Sequence, residues 1–89
     1  MQAYVDYDFY RNEFGGSSVT EERFKEYERR SRMVIDKYTF NRVRIATQDV
    51  PGFVVPEEIK IAQCAVMDEL MTNDLQGGAI SYESVSKHA

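Results

Sequence analysis

Few residues in this sequence have side chains capable of chemistry, and their spacing limits what they could do together. Cys64 is the only cysteine and His88 the only histidine. A nucleophilic thiol needs a neighbouring base and an activating field, and the one imidazole lies 24 residues away at the end of the sequence. Cys64 therefore reads as a small apolar packing residue, and His88 as a single imidazole without the clustered partners a metal site needs. One cysteine also excludes an internal disulfide and any multi-cysteine zinc site. Asp6, Asp8 and Glu13 do not form a D-x-D-x-D-G loop with a closing glutamate, so helix capping and solvation account for them better than calcium. Gly15-Gly16 and Gly77-Gly78 match neither the dinucleotide nor the lysine-terminated phosphate loop and read as turns. No catalytic set, cofactor or metal is expected.

The basic cluster "ERRSR", Glu28 to Arg32, is the one place that could meet phosphate. Glu26, Glu28 and Asp36 lie close enough on a helix to balance it, so a solvated face is the simpler reading. The net charge of −4 and pI of about 4.9 argue against a duplex binder held by counterion release. The 89 residues suffice for one domain with a marginal core, and 43% hydrophobic with 29% charged residues is an ordinary globular balance. No apolar run is long enough to span a bilayer, and "MQAYVDYD" lacks a basic region followed by an apolar stretch, so a cytosolic start is expected.

The elements that would position these groups are helical. Asp6 can cap a short first helix that brings Tyr7, Tyr10 and Phe14 onto one face and ends at Gly15. Thr20, with Glu21 and Glu22 behind it, starts a second helix that Val19 can staple to Phe24 and that ends near Phe40-Asn41. Phe24, Tyr27, Ser31, Val34, Ile35 and Tyr38 recur on its buried side. Residues 41–55, with Gln48-Asp49 and Pro51-Gly52, read as an irregular connector. Pro56 then opens a third helix carrying two apolar stripes. The stripe Ile59, Ala62, Val66 and Leu70 is expected to pack within the chain, and the stripe Cys64, Met67 and Met71 to meet a neighbour. Beyond the break at Gln76-Gly77-Gly78, "AISYESV" alternates like a strand with no partner in the chain, and a role between chains is expected for it. The fold expected is thus all-α: one domain over 1–89, a helical core over 1–78 with a short first helix, and an extended tail over 79–89.

The order of these features resembles a known family. An aromatic "YxFY" opening ends in Gly-Gly, then come "EERFKEYERRSRMVIDKYTFNRV", "EIKIAQCAVMDEL" and finally "GGAISYESV". Over residues 4 to about 85 this resembles the small head–tail connector proteins of long-tailed bacteriophages and prophages, also known as DNA-packaging or head-completion adaptors. The most specific pieces are "IDKYTFNRV", where the family usually has Ile-Asp followed by Thr-Phe and a basic residue, and the glycine pair before "SESV"-like residues. Family members commonly continue through a longer strand region into another helix, where this sequence has "SKHA".

The resemblance implies a structural, non-catalytic protein. It would assemble as a ring of copies of itself beneath the portal and join the DNA-filled head to the tail. Its partners would be the portal protein and a tail-side head-completion protein, and DNA would pass through its channel without specific binding. Its place would be the head–tail junction of the virion, reached from the host cytoplasm, with no membrane contact. Candidate interface residues are Cys64, Met67, Met71, Ile80, Tyr82, Arg29, Arg30 and Arg32. The alternative reading is a small cytosolic helical module that regulates a single protein partner.

Overall fold

The structure, a computed structural model, describes residues 3–75. Among these residues the architecture is all-α, as the sequence leads one to expect. A π-helical turn, Phe9–Glu13, precedes three α-helices: α1 (Glu21–Tyr38), α2 (Arg42–Asp49) and α3 (Glu57–Leu75). The main interhelical contact is between α1 and α3. α3 crosses α1 over the middle of α1, where Gln63 meets Glu28 and Ser31 and Asp74 meets Tyr27 and Arg30. None of the described helices is long and apolar enough to cross a membrane.

The aromatic opening forms a lid on this pair. Asp6 accepts the Phe9 N–H at 2.7 Å and fixes the first turn. The Tyr10 ring packs against Tyr7, Phe14 and Phe24 with centroids 5.9–6.2 Å apart, and is itself fully buried. Gly15 leaves the turn with φ +80°, the left-handed conformation that only glycine adopts without strain. Gly16 is needed for a different reason: a Cβ there would stand 2.3 Å from the Tyr10 ring.

Thr20 occupies the cap position of α1 with extended backbone, although its hydroxyl makes no capping bond. Val19 and Phe24 both lie in the core, consistent with the staple. At the other end, Phe40 and Asn41 have φ of +55° and +62°, and these two consecutive left-handed residues turn the chain out of α1 and into α2. The connector expected to be irregular is thus partly helical. Its turn residues, Gln48-Asp49 and Pro51-Gly52, close α2 rather than replace it, and Val43 anchors the helix in the core. Within α1, Phe24, Tyr27, Ser31 and Ile35 are buried as the spacing predicts, Val34 is half-buried, and Tyr38 points outward.

The two stripes of α3 exchange roles. Cys64 and Met67 are fully buried and Met71 nearly so, all within the single chain. Ile59, Val66 and Leu70 are only half-buried and Ala62 is exposed. The reason is Gln63, which lies on the same side of the helix as Met67 and is also fully buried. Its amide finds partners only across the interface with α1, and making those bonds turns the cysteine–methionine side of α3 inward.

Candidate assembly surface

A polar knot clamps α1 to α3 and fixes which faces remain outside. Glu28 is nearly fully buried. Its carboxylate accepts the Tyr4 N–H and the Gln63 Nε2–H, each at 3.0 Å, and pairs with Arg32 at 3.2 Å. Gln63 Nε2 also lies 3.2 Å from the Glu28 carbonyl and 3.1 Å from Ser31 Oγ. A buried carboxylate persists only when it is paired and hydrogen-bonded, and Glu28 is both. Three separate pieces of the chain are tied together there: the segment at Tyr4, α1 through Glu28 and Arg32, and α3 through Gln63.

Two further ties act through tyrosine hydroxyls. Tyr10 Oη donates to Asp68 at 2.6 Å and accepts the backbone N–H groups of Ser18 (3.1 Å) and Val19 (3.0 Å). Burial, with the Asp68 bond behind it, raises the pKa of this phenol and keeps it a donor. Tyr27 donates its hydroxyl to Asp74, and Arg30 reaches the same carboxylate at 2.8 Å while lying 5.1 Å from the Tyr27 ring centre. The Arg30 guanidinium, and after it the Tyr27 hydroxyl, hold the Asp74 carboxyl below the usual carboxylate range.

The groups considered for chemistry are engaged in packing. Burial, with a smaller push from Asp68, raises the Cys64 thiol to about 12, far from the range of a nucleophile. Asp6 caps the first turn, and Asp8 accepts the Asn12 side-chain amide at 2.7 Å. Among the described residues, no group of three or more His, Cys, Asp or Glu side chains could hold a metal.

The outward surface is where large apolar groups remain. Met33 (62% exposed), Tyr38 (76%) and Phe40 (80%) project from α1 and its exit, and Ile61 (42%) from the far side of α3. A groove between the two helices is lined by Val34, Tyr38, Val66 and Leu70, with Glu69 and Asn73 at its α3 edge. A second depression beside it is lined by Arg30, Met33, Val34, Lys37 and Leu70. Phe40 is the most exposed of these groups and sits on a left-handed residue, where a bulky side chain is uncommon.

Several candidate interface residues therefore change role. Cys64, Met67 and Met71 belong to the interior and not to an interface. Arg32 is also withdrawn, because its side chain is only 11% exposed and is committed to Glu28. Arg30 is held by Asp74 and, at 3.6 Å, by Glu26. Arg29 stays exposed on α1. Ile80 and Tyr82, with the tail over 79–89, lie outside the described residues. Sequence reasoning missed Met33. The available signal was its place as the one apolar side chain in the i, i+4 row Lys25, Arg29, Met33, Lys37. No protein family, curated protein or solved structure matches the chain.

Proposed function

We propose that this protein is a structural component of a phage or prophage particle. It is a head–tail connector that assembles with copies of itself beneath the portal, joins the DNA-filled head to the tail and lengthens the DNA channel. The supporting observation is the apolar side-chain surface left outward on both long helices, from Met33, Tyr38 and Phe40 on one side to Ile61 on the other. A small chain with a marginal core loses stabilisation by leaving such groups in water, and association with another surface recovers it. The ordered motifs from "YxFY" to "GGAISYESV" give that surface its context, with the portal and a tail-side completion protein as further partners. The acidic net charge suits a conduit through which DNA slides without being held.

The groove lined by Val34, Tyr38, Val66 and Leu70 favours a second reading, because a single amphipathic helix of a partner would fit such a trough. Mass in solution separates the two. Sedimentation of the purified chain, alone and with tailless heads that carry their portal, is expected to give assemblies of many copies or attachment to the heads. A stable one-to-one complex with a host protein, and no association with itself or with heads, would favour the regulator and sink the connector.

A further inference from the structure

The groove between α1 and α3 opens where the chain leaves α3. Val66, Glu69, Leu70 and Asn73 stand at i, i+3, i+4 and i+7 and form its α3 wall, with Val34 and Tyr38 as the α1 wall. Val34 and Leu70 also line the depression beside it, so the two make one apolar trough. Tyr38 is 76% exposed and Val34, Val66 and Leu70 are half-buried, so the described residues leave the trough uncovered. Asn73 comes just before Leu75, the last described residue, which is itself exposed. The chain therefore departs from one end of the trough.

The sequence beyond that point has the turn, the pattern and the reach to come back. Gln76-Gly77-Gly78 supplies the glycine with which helices commonly end and reverse direction. In the stretch Ala79 to Val85, Ile80 and Tyr82 fall on one side of an extended chain. From Asn73 back to Val66 the trough runs about 10 Å along α3, and the four residues Ala79 to Tyr82, extended, cover about 13 Å. Ile80 then comes level with Leu70, and Tyr82 with Val66 and Tyr38. We propose that the tail folds back on its own chain and seats Ile80 and Tyr82 in this trough. Glu69 and Asn73 at the rim offer side chains that can bond the backbone groups of the returning segment. Covalent linkage decides for the chain's own tail over that of a second copy. The short link Gln76-Gly77-Gly78 gives the tail an effective concentration of about millimolar at the groove, whereas a separate chain arrives from dilute solution and loses its translational freedom. Any helix of a partner that uses the groove must first displace the tail.

The test is nuclear magnetic resonance of the full chain with labelled methyl groups. Overhauser contacts are expected from the Ile80 methyls and the Tyr82 ring to Val66 and Leu70, unchanged on dilution. Amides 80–83 are expected to exchange at least about tenfold more slowly than in an unstructured chain. Tyr38→Ser, at an exposed position, and the pair Ile80→Ser with Tyr82→Ser should each remove most of that protection, while far-ultraviolet dichroism checks that the helices remain. Exchange within about twofold of the unstructured rate, without contacts to α3, overturns the proposal. Protection that survives in both variants overturns it as well, since the tail is then held elsewhere. Contacts that arise only between differently labelled chains in a mixed sample put the tail on a neighbouring copy and refute the intrachain dock. Failure on any of these counts leaves the connector reading standing, because sedimentation with tailless heads tests that reading by itself.

Discussion

The hydroxyl of Tyr10 is expected to contribute more to stability than any other single polar atom of the lid. Tyr10→Phe keeps the ring, its packing on Phe14 and Phe24, and the close approach of Gly16, while removing one oxygen. Three bonds go with it. The Val19 N–H, at a fully buried residue, loses its partner with no water to replace it, at about 1–3 kcal/mol. The Ser18 N–H and the half-buried Asp68 carboxylate are both close enough to solvent to be rehydrated, and together they add about 1 kcal/mol more. The total is about 2–4 kcal/mol, a large share of what holds a small domain together. Tyr7→Phe is the control: its ring packs edge-on against Phe24 at 5.4 Å, its hydroxyl makes no hydrogen bond among the described residues, and its loss is expected to cost less than about 0.5 kcal/mol. Urea unfolding followed by far-ultraviolet dichroism reads both. With a slope of about 1 kcal/mol per molar, Tyr10→Phe moves the midpoint down by about 2–4 M. Equal midpoints for the two variants, at unchanged slope, would refute the reasoning and mean that the Val19 N–H finds another acceptor.

Two further outcomes follow from the same contacts. Met67→Ala is expected to cost about 2–5 kcal/mol, and Leu70→Ala, at a half-buried position, about 1–2 kcal/mol in the same urea assay; the reverse order would show the α3 stripes to be assigned the wrong way round. Asp74 has its folded pKa depressed by Arg30 and Tyr27, so its contribution is present above the unfolded carboxylate value of about 3.9 and is lost as pH falls through the depressed one. Asp74→Asn should thus lower stability at neutral pH and flatten the acid limb of a melting-temperature profile, modestly because both partners are about a third exposed. An unchanged acid limb would disprove this linkage.

Local signals made most of the fold legible. The cap at Thr20, the acidic first turn, the staple of Val19 on Phe24 and the 3.6-residue rhythm through Ile35 all lie within a few residues of what they determine. The aromatic lid was legible for the same reason, down to Gly15 as its stop. The short helix α2 was hidden because its turn residues crowd its C-terminal end, while a single buried side chain, Val43, holds it down.

What could not be read was which side of α3 faces in, and the reason lies in distance along the chain. Gln63 looks like a solvent residue until Glu28 and Ser31, more than thirty positions earlier, supply its partners. Glu28 in turn looks like half of a surface pair with Arg32 until the Tyr4 N–H and Gln63 close over it. Each of these residues is buried only because the others are, so no local pattern in the sequence reports it. The same knot determines the surface. Once Gln63 is drawn toward α1, the helix has a single rotation left, and that rotation exposes Glu58, Ile61, Ala65 and Glu69. A polar residue misread as solvated therefore cost two assignments at once, the interior stripe and the interface stripe. The acidic face of α3 was written in the sequence all along, but its outward direction depends on one amide bonded across the core.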